Sequence, residues 1–437
     1  MEREKIIGEI KVTSQEFKDF EKKVKNVSQL KKVIEAVIKA PITDLLKTIL
    51  LGAITLEASD IHIEPGEEDV RLRVRIDGIL HEVFVFDHTV FKKLLSRIKL
   101  LSGLKLNVTN RPQDGRFTVS LLDLFDIEIR ASTLPSEYGE TVVLRLLNPK
   151  NLIEIEQLGL RKDLLEVFEK EIRKPNGMMI VTGPTGSGKT TTLYAILKRI
   201  NKPEIKIITI EDPIEYHLAG LSQTQVDPSK GYTFASGLRS IVRQDPDVIL
   251  VGEIRDLETA EIACQAALTG HLVFSTLHTN DAAGAVARLI DLGVKPVTIA
   301  PALNVVIAQR LPRRLCKKCA KFTKPSPEEL KKIKRALVKV KKEILPPAFF
   351  KPDLKIGRAV GCEDCNFTGY RGRIGIYEAF IIDDEMERFI LKSPSIVDMR
   401  ELAIKKGMVP MYQDGLIKVL EGITTIEEVE RVAGQEE

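Results

Sequence analysis

One stretch limits the fold of this 437-residue chain more than any other. It is "GMMIVTGPTGSGKTTTLYAILKRI", residues 177–200. An apolar run reads as a buried strand and the last dozen residues as a helix, with a glycine loop between them. The loop is Gly183-Pro184-Thr185-Gly186-Ser187-Gly188-Lys189-Thr190, and Thr191 follows it. Its glycines let backbone N–H groups approach phosphate oxygens closely, and the helix aims its positive end at the same anion. Lys189 is expected on the β and γ phosphates and the Thr190 hydroxyl on Mg²⁺. Thr191 belongs to the same nucleotide-binding set. The pattern implies an ATP or GTP hydrolase.

A nucleotide site needs carboxylates, and "DVILVGEIRD" (247–256) presents a puzzle. Gly252 stands where a metal-side Asp is expected, and Glu253 follows. Ligands of open parallel sheets sit at the carboxyl ends of strands. A second strand end, "IITIEDPIEY", offers Glu211 and Asp212. Glu211 is expected on the metal side, directly or through water, and Glu253 on the attacking water. Asp212 and Glu215 read as caps of the next element.

The rest of the chain fits a soluble enzyme of several domains. Hydrophobic residues make up 43% and charged residues 29%, the net charge is +4, and no apolar run reaches the length of a membrane helix. Residues 1–40 read as a helical leader, with Leu30, Val33, Ile34, Val37 and Ile38 at helical spacing. Residues 41–148 mix a helix with alternating runs that read as antiparallel strands, an α+β domain. In "VRLRVRID", Arg71, Arg73 and Arg75 share one strand face, which reads as solvated. Residues 149–159 read as a linker. From 160 to 311, strands alternate with helices, an α/β core with a parallel sheet. Four of the five cysteines form Cys316-x-x-Cys319 and Cys362-x-x-Cys365. Four thiolates in two short turns suit one tetrahedral Zn²⁺ without an open position. They place a zinc subdomain at 312–375, with a helical region at 376–437. Cys264 reads as a small core residue. The Lys-rich insert between the pairs reads as a solvated helix or as a contact for acidic headgroups.

Taken together, these stretches resemble the motor ATPases of type II secretion and type IV pilus assembly. The resemblance rests on "GPTGSGKTTTLYA", "TIEDPIEY", "RQDPDVILVGEIRDLETA" and "TGHLVFSTLHTNDA". It extends upstream to "SDIHIEP", "RIDGIL", "RPQDGRF" and "GETVVLRLL", and downstream to the Cys pairs and "TGYRGRIGIYE". It implies a RecA-like ATPase core preceded by a smaller PAS-like domain. It implies ATP, Mg²⁺ and Zn²⁺ as ligands and a cytoplasmic homo-hexamer at the inner face of the cytoplasmic membrane, acting on an inner-membrane platform protein. Glu253 becomes the hydrolytic carboxylate, and His278 and His271 lie near the γ-phosphate. If the run between these two histidines is a strand, seven residues separate them by roughly 23 Å on opposite faces, so they cannot share a metal. Arg130, Arg145, Arg239 and Arg243 match arginines that reach a nucleotide. Family members usually carry a longer N-terminal docking domain, whereas residues 1–40 alone precede the shared region. The "AIRNLRE"-type motif of pilus-retraction motors is not seen, which favours assembly. The competing reading is a DNA-uptake or conjugative ATPase, and a nucleic-acid-binding zinc module would leave the phosphate loop unexplained. Nucleic acid is not the expected partner.

Overall fold

The alternation in "VRLRVRI" is realised as a strand with Val70, Leu72 and Val74 fully buried and the arginines on its other face. The computed structural model describes residues 8–434. Within them the chain forms two compact units, divided after Asn151. The first contains β1 (Glu9–Val12), α1 (Ser14–Lys23), α2 (Val27–Val37), α3 (Ile42–Thr55), β2 (Asp60–Pro65), β3 (Val70–Ile76), β4 (Ile79–Phe86), α4 (His88–Ser102), β5 (Gln113–Leu121), β6 (Phe125–Ser136) and β7 (Gly139–Leu147). Its sheet runs β1-β5-β6-β7-β2-β3-β4. β1 pairs parallel with β5, and the other neighbours are antiparallel. The four helices share one apolar core with the sheet.

The expected break at residue 40 is not a break in packing. β1 joins the sheet, and Val12, Phe17, Leu30 and Ile34 lie in the same core as Leu46, Ile61 and Phe117. A Cβ on Gly52 of α3 would meet Leu30 Cδ1 of α2 at 2.1 Å, so the two helices touch backbone to side chain. Full burial of a Leu such as Leu30 stabilises by about 1.5–3 kcal/mol, enough to hold a helix that would be marginal alone. Residues 1–7 of the expected leader lie outside the described residues.

The second unit contains α5 (Lys162–Glu171), β8 (Gly177–Thr182), α6 (Lys189–Ile200), β9 (Ile207–Glu211), β10 (Ser222–Gln225), α7 (Phe234–Val242), β11 (Val248–Val251), α8 (Leu257–Leu268), β12 (Leu272–Leu277), α9 (Ala282–Asp291), α10 (Pro296–Ala302) and β13 (Leu303–Arg310). Four short strands follow, β14 (Arg313–Leu315), β15 (Lys321–Thr323), β16 (Ile356–Arg358) and β17 (Tyr370–Arg373), with α11 (Pro327–Leu337) among them. The chain then forms β18 (Ile376–Ile381), α12 (Asp384–Ile390), α13 (Ile396–Lys405), α14 (Met411–Leu420) and α15 (Ile426–Ala433). The main sheet is β10-β9-β11-β12-β8-β13-β18, parallel except for the β13–β18 pair. Every residue of β8, β9, β11 and β12 is buried, because apolar layers cover both faces. This is the α/β fold that the strand–helix alternation predicts.

Two other boundaries differ from expectation. Ile155 and Leu158, inside the expected linker, are buried in the second unit's core, and Tyr377 Oη donates to the Leu158 carbonyl at 3.1 Å. The expected 312–375 subdomain divides. Segments 316–319 and 360–371 group with the first unit, whereas 320–359 stays with the second. The reason is visible in α11: Ile333 and Leu337 bury themselves against Leu416 and Ile417 of α14.

Candidate functional site

The phosphate loop connects the buried strand β8 to α6. Gly183 has φ 149°, and a Cβ there would lie 2.6 Å from Ser187 Oγ and 2.7 Å from the Gln309 carbonyl, so only glycine fits. The N-terminus of α6 has no side-chain cap, which leaves its N–H groups for an external acceptor. Ser187 Oγ is buried without a partner. Lys189 Nζ folds back onto the loop's own carbonyls, 2.7 Å from Gly183 O and 3.2 Å from Pro184 O. Burial lowers its pKa to about 8, Glu253 opposes that shift and Arg310 adds to it. A half-buried cation, an unpartnered hydroxyl and free helix N–H groups together make an anion cradle. Thr190 is exposed at the loop's mouth and Thr191 half-buried beside it.

Glu253 follows β11 and stands beside this cradle. One carboxylate oxygen lies 2.6 Å from Arg255 Nη2 and the other 3.5 Å from His278 Nε2. His278 is held below its usual pKa by burial and by Lys189, against the pull of Glu253. The structure therefore brings Lys189, Glu253 and His278 together. Gly252 has a steric explanation. A Cβ there would meet Ile210 O and Glu211 Cα at 3.3 Å, so an Asp would press into β9.

Glu211, expected on the metal side, is engaged by protein donors. Its carboxylate is buried and accepts from the Tyr194 hydroxyl, from Thr209 Oγ1 at 2.6 Å and from Gln223 Nε2 at 3.3 Å. Burial raises its pKa, and these three donors oppose the rise. It ties α6, β9 and β10 together. His271 is misplaced by the expectation. It precedes β12, at the opposite end of that strand from His278, and its Nδ1 contacts the Ala266 carbonyl at 3.0 Å. It closes the end of α8.

Of the four arginines, Arg239 pairs with Glu258 of α8 and Arg243 donates to Ser240 Oγ at 3.3 Å. Both are exposed, Arg239 on α7 and Arg243 just past its end. Arg130 and Arg145 belong to the first unit and are neighbours across β6 and β7. Arg145 Nε lies 3.1 Å from Asp60 Oδ1, and Arg130 Nε 3.4 Å from Glu128 Oε1.

The four cysteine sulfurs lie within 4.8 Å of one another. Sulfur–sulfur separations are 3.9 Å for Cys316–Cys362, 3.8 Å for Cys319–Cys365 and 3.7 Å for Cys362–Cys365. Tetrahedral thiolates at about 2.3 Å from one ion would be about 3.8 Å apart, so the set fits a metal. Cys362 N and Gly369 N donate to Cys365 Sγ at 3.1 and 3.3 Å, the bonds a thiolate attracts. Cys264 is buried in the core as expected, its thiol pushed up to about 12 by burial.

Several supporting residues were not singled out from sequence. Thr279 and Thr182 join at 2.7 Å between hydroxyls, fixing the His278 segment to the strand that feeds the loop. Gln309 accepts from Thr192 at 2.7 Å, and Arg310 donates to Asn280 O at 2.6 Å. All depend on neighbours distant in sequence, although "AQR" at the end of β13 was a visible polar break in an apolar run.

Comparison with known proteins identifies the family. The family model described as "Type II/IV secretion system protein" matches residues 35–431. The type IV pilus assembly ATPase PilB of Thermus thermophilus is 45% identical over 385 residues, covering 88% of this chain and 42% of that protein. The type II secretion system protein E of Aeromonas hydrophila is 44% identical over 419 residues, covering 96% and 81%. Among solved structures, the pilus retraction motor PilT with bound ADP is 28% identical with a TM-score of 0.57, over 88% of this chain and 95% of that one. The Legionella pneumophila ATPase DotB shares the fold at 20% identity, with a TM-score of 0.64 over 89% and 95%. The chain belongs to the type II/IV secretion system protein family.

Proposed function

We propose that this protein hydrolyses ATP to power type IV pilus assembly or type II secretion, as a homo-hexamer acting on an inner-membrane platform protein. The observation that carries the reading is Glu253, set between His278 and Arg255 beside Lys189. Lys189 and the loop N–H groups would hold the β and γ phosphates, and Thr190 Oγ1 would serve as a ligand for Mg²⁺. That ion, when bound, offsets charge on the phosphates. Glu253 orients and deprotonates the attacking water. His278 offers a proton donor or acceptor at its edge. In this reading the second unit is a RecA-like core and the first a PAS-like domain that supplies Arg130 and Arg145. Arg239 and Arg243 reach a nucleotide only if α7 faces another site in a ring. No helix of the described residues is long and apolar enough to cross a membrane. Peripheral attachment at the cytoplasmic face is the arrangement proposed. The purified chain is expected to hydrolyse ATP at a rate that added DNA leaves unchanged. Strong, salt-sensitive stimulation by DNA would replace this reading with a nucleic-acid-translocating motor.

Cys316, Cys319, Cys362 and Cys365 are proposed to hold one structural Zn²⁺. Such a site contributes on the order of 10–16 kcal/mol to its local fold. Cys319→Ser should release the metal and speed amide exchange in 316–319 and 360–371, while residues 177–200 exchange as before. Metal analysis that finds no zinc in protein purified without chelator would overturn the assignment.

A further inference from the structure

The "SDIHIEP" segment forms β2, and its first strand residue occupies an unusual place. Arg116 of β5 faces Arg130 of β6, Arg130 faces Arg145 of β7, Arg145 faces Asp60 of β2, and Asp60 faces Arg75 of β3. Directly paired residues of a sheet project from the same face. Five consecutive strands thus carry Arg, Arg, Arg, Asp, Arg in one row, with strands about 4.8 Å apart. Like charges set directly opposite destabilise a sheet, so three adjacent guanidinium groups are an arrangement that stability alone does not favour.

Asp60 is the acid in this row, and it is nearly buried, with 9% of its side chain exposed. Oδ1 accepts from Arg145 Nε at 3.1 Å. Oδ2 accepts from Ser59 Oγ at 2.8 Å and lies 3.5 Å from Arg75 Nε. A carboxylate fixed by arginines on both neighbouring strands and by Ser59 is a rigid anchor. It engages Arg145 at Nε, and the Arg145 side chain is still 52% exposed. That grip leaves the Nη1/Nη2 fork, the part that clasps a phosphate with two parallel bonds.

We propose that Asp60 is a positioning residue that aims the Arg145 fork at the phosphoryl group. The proposal rests on the reading of Arg145 as a nucleotide-reaching arginine. An unanchored Arg145 samples many rotamers and must be ordered at each turnover, whereas the anchored one is ordered beforehand. Asp60 should therefore matter for kcat through Arg145 and through nothing else.

A double-mutant cycle tests this, with kcat and KM for ATP measured on the full chain at one protein concentration. Asp60→Ala is expected to lower kcat about tenfold, within the range of coupled contacting pairs, with KM little changed. In an Arg145→Ala background the same substitution should lower kcat no further. Asp60→Asn keeps the shape and an acceptor but loses the charge. It should show the same dependence on Arg145 at about threefold, a neutral hydrogen bond being roughly half as strong. If the alanine variant does not fold, the asparagine pair decides. An equal loss in both backgrounds, or no loss where Arg145→Ala alone is impaired, overturns the role of Asp60. Full activity of Arg145→Ala is a different failure, because it removes the arginine reading itself.

Discussion

Glu253→Gln is expected to stop turnover while ATP still binds, whereas Lys189→Ala is expected to stop both. Glutamine has the shape of glutamate: its amide oxygen can still accept from Arg255 and its NH2 group takes the place facing His278, the two nitrogens lying 2.6 and 3.5 Å from the Glu253 oxygens. It cannot take a proton from water, a contribution of about 10²–10⁴ in rate for a general base. The phosphate loop is untouched, so the variant should trap ATP and give stable complexes by equilibrium binding. Lys189→Ala removes the cation that now rests on the Gly183 and Pro184 carbonyls. A polyanion then meets only the Ser187 hydroxyl and backbone N–H groups, and affinity should fall together with rate. Near-normal turnover in Glu253→Gln would end its assignment. Glu211 would not inherit the role, because Tyr194, Thr209 and Gln223 already engage its carboxylate.

These two residues were legible because their signals are local. A strand, three glycines, a lysine and a helix occupy consecutive positions, and Glu253 ends an apolar run. Glu211 ends a strand of the same kind, yet its surroundings depend on Tyr194 and Gln223 from other elements, which no strand-end pattern reports. His271 and His278 sit in one motif, but a six-residue strand lies between them, and only one strand end reaches the phosphate loop. The seven-residue spacing already placed them roughly 23 Å apart. The family likeness grouped what this geometry separates. The packing of the helical leader into the first unit was hidden for another reason. β1 has four residues, and its partner β5 lies about a hundred positions later, so its pairing leaves no periodic trace. The Asp60 row is likewise a property of register across five strands. Each arginine alone looks like a solvated strand residue.

Arg145→Ala is expected to lower turnover by roughly 10³ or more while leaving ATP affinity nearly unchanged, the usual effect of losing a finger that meets charge developed in the transition state. In the proposed reading its terminal nitrogens would add positive charge where the transferring phosphoryl group spreads negative charge over its oxygens. In the ground state much of that charge is already met by the loop, so binding hardly registers the loss. Arg145 lies in the unit that does not carry the loop. A catalytic contribution from that unit makes hydrolysis depend on how units are brought together, and in a ring it makes each site depend on assembly. ATP then shifts the population toward the arrangement that it binds more tightly, and its loss reverses the shift. Specific activity should consequently rise with protein concentration and level off where the ring is complete. Arg145→Ala should flatten that dependence, because its residual rate no longer draws on the second unit's partner. Activity that stays constant per chain down to dilutions where only monomers sediment would rule out a ring-dependent mechanism, whatever the alanine variant does.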